Sequence, residues 1–171
     1  MDNEIQQARK AHRLRLYPDS MLRGMAHRID NMDGDVHWLL DSMVEIMYTH
    51  GGGLAAPQVG VMQRMIIADI GEGLLALANP AIVEKEGDDH LVEGCLSLPD
   101  IQVDIARSQS VLVQGINPKG QEVRQEFEGL MARIIQHEID HLDGVLIIDY
   151  ASPVEKIALR KKLKALRERY G

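Results

Sequence analysis

One cysteine, one tryptophan and one phenylalanine occur in 171 residues, with aromatic residues at 4% and only six prolines. Cys95 has no partner within the chain, so no internal disulfide staples the fold and nothing requires an oxidising compartment. Any chemistry at that sulfur proceeds through the thiolate. Six Pro and fifteen Gly exclude a collagen-like or proline-rich disordered chain, and the scarcity of aromatics leaves the core to Leu, Ile, Val and Met. No stretch approaches the roughly 18 apolar residues of a membrane span, so a membrane is not an expected partner. The residues up to Pro18 interleave Glu4, Arg9, Lys10, Arg13 and Arg15 with apolar positions. They hold no apolar run of roughly 7 to 15 residues, so no signal peptide is read and the expected location is the cytoplasm.

What is present is an ordinary globular composition, 45% hydrophobic and 26% charged, with a net charge of -7. The charge is unevenly spread. Residues 153–171 carry seven Lys and Arg against Glu155 and Glu168, a balance of +5 that leaves -12 on the remainder. A net-acidic body argues against DNA as a partner, while the basic end can touch a polyanion locally.

Between Val36 and Tyr48, the residues Val36, Leu39, Leu40, Met43, Val44 and Met47 recur at steps of three and four, predicting an amphipathic helix that stops at Gly51-Gly52-Gly53. Short β-rich runs follow, among them Arg64 to Ile70 and Ser110 to Ile116. Gly71-Glu72-Gly73 and Asn117-Pro118-Lys119-Gly120 punctuate them as hairpin turns. A second helical pattern covers about Gly129 to Leu142 and ends before Asp143-Gly144, where Gly can supply a left-handed cap. The last helix starts legibly: Ser152 caps it, Pro153 suits its first position, and Glu155 completes a capping box. Leu159, Leu163, Leu166 and Tyr170 form its apolar stripe. No repeat or linker divides the chain, so residues 1–171 are read as one α+β domain whose end, 153–171, is a basic helix. His12, His27, His37, His50 and His90 have no partner pattern and read as surface residues.

The strongest chemical signal is His137-Glu138-Ile139-Asp140-His141. On a helix, positions i and i+4 share a face, so both imidazoles can address one metal while Glu138 handles a proton. Two histidines leave the third ligand open. A metzincin-type extension requires a third His where this chain has Ile147, so that reading fails. Glu155 and Glu168 are available for a gluzincin-type ligand but lie in the basic end of the chain. Cys95, in Glu93-Gly94-Cys95-Leu96-Ser97-Leu98-Pro99, is either a small buried hydrophobe or the remaining ligand. As a ligand it gives a Cys/His/His set with an open position, the mark of a catalytic site. Gly51 to Gln58 lacks the Lys-Ser/Thr of a phosphate loop. It reads either as close-approach backbone beside an uncharged amide donor, Gln58, or as a helix end and tight turn.

Taken together, Gly51 to Gln58, Glu93 to Ser97 and Gln136 to His141 resemble, in order and spacing, the three signature motifs of the peptide deformylases. The resemblance extends from about Leu16 to Pro153. It implies a metal-dependent amidohydrolase that removes the formyl group from the N-terminal formylmethionine of nascent polypeptides. It also implies an α+β fold with antiparallel sheets around a central HExxH helix, between N-terminal and C-terminal helices. It makes Cys95, His137 and His141 ligands of one divalent ion, Fe2+ in the family, replaceable by Ni2+, Co2+ or Zn2+. Glu138 becomes the general acid/base, and Gln58 with the backbone N–H of Leu96 the oxyanion donors. Backbone groups of Gly52, Gly53 and Gly94 would pair with an extended substrate, and Leu130, Ile134 and His137 would receive the methionine side chain. Arg107 matches a position that pairs with the acidic residue of the Cys95 motif, so a Glu93–Arg107 salt bridge is expected. Two departures bear on substrate fit: Gly52 stands where many relatives have a β-branched residue, and Gln102 where some have an arginine. Because such a substrate emerges from a ribosome, residues 153–171 are a candidate ribosome contact.

Overall fold

A computed structural model describes residues 12–171; Glu4, Arg9 and Lys10 of the amino-terminal reading lie outside the described residues. The elements run α1 (Gly34–His50), β1 (Gly53–Ala55), β2 (Met65–Ala68), β3 (Leu75–Glu86), β4 (Asp89–Cys95), β5 (Leu98–Arg107), β6 (Ser110–Ile116), β7 (Glu122–Glu128), α2 (Gly129–Leu142) and α3 (Pro153–Tyr170). Short 3₁₀ turns cover Ser20–Arg23, Ala56–Val59 and Ile147–Tyr150.

α1 is longer than its apolar pattern because Asp33 caps it, accepting from the amides of Asp35 and Val36. It buries Val36, Leu39, Leu40, Met43 and Met47 against Leu54, Met65 and Ile67. Two sheets follow, both antiparallel. One has the order β1-β2-β3-β6-β7, and the other is the β4–β5 hairpin alone. The glycine-bearing turns at 71–73 and 117–120 do join paired strands, with Gly71, Gly73 and Gly120 at positive φ.

α2 lies between the sheets. Ala132, Ile135, Ile139 and Leu142 pack on Ile66, Leu77, Val111 and Val113 of the five-stranded sheet, and the opposite face is left for polar residues. β5 turns Leu98, Ile101, Val103 and Ile105 inward against Leu159 and Leu166 of α3. α3 begins as expected, with Ser152 and Glu155 forming a reciprocal capping box and Pro153 at its start. Its stripe is shorter than read, because Tyr170 is exposed with Arg169 over its ring. Among the described residues, no helix is long and apolar enough to cross a membrane.

Four of the five unassigned histidines are exposed; His12 is instead half-buried, its ring 4.1 Å from that of Trp38.

Candidate active site

The polar face of α2 brings His137 and His141 one turn apart, and the end of β4 brings Cys95 to them. β4 and β5 lose register between Glu93 and Cys95, an irregularity that re-aims the chain at the cysteine. The Nε2 atoms of His137 and His141 are 3.2 Å apart, and Cys95 Sγ is 3.4 Å from His141 Nε2. One donor atom from each residue lies within 4.8 Å of the others. Metal–nitrogen bonds of about 2.0–2.1 Å and a metal–sulfur bond of about 2.3 Å give tetrahedral edges of roughly 3.3 and 3.6 Å. The three side chains therefore fit one ion with a coordination position left open. Glu155, the alternative ligand, instead caps its own helix, and Glu168 pairs with Lys164.

The supporting residues explain the orientation. His137 Nδ1 donates to Glu93 Oε2 at 2.9 Å, which leaves its Nε2 lone pair for a metal. Glu93 is buried and saturated: Arg107 donates to it through Nε (2.6 Å) and Nη2 (3.0 Å), and Arg133 through Nη1 (2.7 Å). Burial alone would raise its pKa, but His137 and Arg107 outweigh that and hold it at about 2. The expected Glu93–Arg107 bridge is thus present, and it bears on His137 as well as on the Cys95 strand. Arg107 also donates to Asp140 Oδ2 at 2.9 Å, the oxygen that Tyr150 Oη reaches at 2.6 Å.

With no metal bound, burial pushes His137 down, but its bonds to Cys95 and Glu93 win and raise it to about 10, so a proton must leave Nε2 when a metal takes that lone pair. Burial pushes His141 well below the ordinary histidine range. Glu138 is buried with Oε2 unpartnered; burial raises it to about 7 against the pull of His137 and Arg107. A carboxyl poised near neutrality suits a general acid/base.

Gln58 is buried and its amide fixed: Oε1 accepts from Ala55 N at 2.9 Å, and Nε2 donates to Ser97 Oγ at 3.1 Å and lies 3.8 Å from Cys95 Sγ. The reading of Gly51 to Gln58 as a helix end holds, since Gly51 N closes α1 on Met47 O and Gly53 then opens β1. A Cβ at Gly53 would lie 2.7 Å from Glu138 Oε1, so the close approach there is to the protein's own carboxylate. A cleft of about 430 Å³ opens beside these groups. Gly51, Gly52, Gly53, Gln58, Gly94, Leu96, Leu130, Ile134, His137 and Glu138 all line it, as do Leu91, Val92 and Arg133. Leu130 is exposed at its mouth and Ile134 half-buried. Gln102 is exposed on β5 and lines none of the cleft.

Ser97, Arg133 and Tyr150 were not evident from the sequence as site residues. Arg133 had a signal, four residues before His137 on one helix face. Arg107 occupies the inward phase of a strand whose other inward positions are apolar.

The model of the family described as polypeptide deformylase matches residues 11–157. The chain belongs to the polypeptide deformylase family. A peptide deformylase of Thermodesulfovibrio yellowstonii is 45% identical over 157 residues, spanning 88% of this chain and 95% of that protein. The crystal structure of the Thermotoga maritima peptide deformylase superposes with a TM-score of 0.80 at 44% identity, covering 83% of this chain and 98% of its own. That from Legionella pneumophila gives 0.85 at 34% identity, covering 92% and 95%. As a deformylase the chain is a metal-dependent hydrolase that removes the N-terminal formyl group from nascent proteins, and its α+β fold is that of these enzymes.

Proposed function

We propose that Cys95, His137 and His141 hold the divalent ion, that Glu138 moves the proton, and that Gln58 Nε2 with the Leu96 N–H receives the oxyanion. The observation that carries this reading is the convergence of two imidazoles and one sulfur beside a buried, unpartnered carboxylate oxygen. A divalent ion on these ligands supplies Lewis acidity and lowers the pKa of water. Glu138 takes the proton of the attacking water and returns it to the leaving amine, which needs a carboxyl that is neither strongly acidic nor always protonated. Gln58, its amide locked by Ala55 and Ser97, offers a donor that does not reorganise as charge develops on the formyl oxygen.

Gly52, Gly53 and Gly94 leave main-chain groups open to an extended peptide, and Ile134, Leu130 and His137 form the surface for the methionine side chain. Fe2+ is the proposed ion: a thiolate ligand donates charge and weakens zinc as a Lewis acid, favouring a metal more willing to gain a ligand. The chain acts as one catalytic domain over 1–171, in the cytoplasm. Its basic α3 docks at the ribosome through the outward Lys and Arg not engaged at home, as Lys162 is with Asp100 O and Arg167 with Tyr17. Co-sedimentation with ribosomes at low salt that fades as salt rises tests that contact, and none at low salt contradicts it. Metal analysis tests the site: wild type binds one ion per chain, and Cys95→Ala and His141→Ala bind none while remaining folded. Full metal content in both variants would overturn the assignment.

A further inference from the structure

The cleft is flanked by two free strand edges. Among the described residues, β1 is the outer strand of the five-stranded sheet, and β4 pairs only with β5. An extended peptide pairs with such edges through main-chain hydrogen bonds, so the height of β4 over α2 decides whether one chain satisfies both sides. β4 is a short strand whose ladder is already interrupted between Glu93 and Cys95, and Leu91 and Val92 are exposed on it.

Arg133 is placed to hold this strand. Its side chain is 5% exposed, and it rises from α2 one turn before His137. Nη1 donates to Glu93 Oε1 at 2.7 Å and to the Ile105 carbonyl at 2.9 Å; Nη2 donates to the Asp89 carbonyl at 2.6 Å. One guanidinium thereby ties the helix that forms the cleft floor to both strands of the second sheet, gripping β4 near its start and again at Glu93. A planar fork with fixed donor directions does this where a flexible ammonium does not.

We propose that Arg133 is a positioning residue for the peptide downstream of the formyl group, setting the β4 edge at the height where substrate main chain pairs with it. The inference rests on the proposed placement of an extended peptide in this cleft. Loss of a purely structural ion pair would lower activity alike on every substrate, whereas loss of a positioning group separates short substrates from long ones.

Arg133→Met and Arg133→Lys, metal-loaded, are assayed for formate release from formyl-methionine amide and from a formylated tripeptide, beside hydrogen exchange of the 89–95 segment. Lys keeps the charge facing Glu93 and serves if Met prevents folding. In both variants the tripeptide KM should rise on the order of tenfold, what one or two weakened main-chain bonds are worth. Because Arg133 also donates to Glu93, kcat/KM on the amide should fall as well, but less than on the tripeptide when the two are compared at equal metal content, and the amides of Leu91 to Gly94 should exchange faster. Equal losses on both substrates, or unchanged exchange, overturn the role of Arg133 while leaving the site assignment standing. No formate from the wild type overturns the site assignment and this inference with it.

Discussion

Replacing Gly53 by Ala is the sharpest small perturbation of this site. A Cβ built there lies 2.7 Å from Glu138 Oε1 and 2.7 Å from Ile134 Cγ2. Carbon contacts are comfortable at about 3.5–4.0 Å, so the carboxylate, Ile134 or β1 must shift by roughly 1 Å. β1 is tied to β2 through Gly53, Leu54 and Ala55, and Glu138 is buried, so neither relaxes freely. A 1 Å misplacement of a catalytic group costs on the order of 100-fold in rate, and overpacking of this kind costs about 1–3 kcal/mol. Gly53→Ala should therefore lower kcat for formate release about 100-fold with its metal retained, and lower the thermal midpoint. Gly94→Ala is the internal control. A Cβ there meets only the Ile101 carbonyl at 3.8 Å, so any deficit reports contact with substrate and falls on KM. If Gly53→Ala keeps kcat within threefold and its thermal midpoint, the packing of β1 on Glu138 does not position that carboxylate.

Two further predictions concern the charged network. Arg107→Ala leaves Glu93 and Asp140 without their shared cation in a buried setting, where breaking such a pair costs about 3–5 kcal/mol. It should lose both metal and turnover, and intact metal content with intact turnover would refute the bridge as the support of His137 and Cys95. In the metal-free protein, burial raises Glu138 to about 7 from an ordinary 4.5. The folded state then favours the protonated form, so the stability this group contributes is complete below about pH 4.5 and is lost as pH rises through about 7. Glu138→Gln cannot ionise, so its advantage in thermal midpoint over wild type should grow across that window. A difference independent of pH would contradict it.

The sequence made the helices legible where caps and apolar spacing agree, as at Ser152 to Glu155 and along Val36 to Met47. The two histidines needed only helical periodicity, since residues four apart share a face whatever surrounds them. The proposed third ligand did not follow from the residues, because nothing local to Cys95 says which helix the Glu93–Cys95 irregularity will aim it at. It came from the resemblance. The reason for Gly53 was also out of reach: the residue that forbids a side chain there is 85 positions away on α2. Arg133 stayed hidden for a similar reason, since a charge on an amphipathic helix reads as solvated until the strand it meets is known, and Tyr150, in a turn, gives no sign that its hydroxyl meets Asp140 of α2. Arg107 was expected to meet Glu93, but not to share Asp140 with Tyr150.

The central claim is best tested by formate release from a formyl-methionine peptide, with iron- or nickel-loaded wild type and Glu138→Ala measured side by side. Wild type should release formate, and Glu138→Ala should keep its metal while losing roughly 100- to 10,000-fold in rate, the worth of a positioned proton-transfer group. No formate from the loaded wild type, or undiminished turnover in Glu138→Ala, would contradict the account.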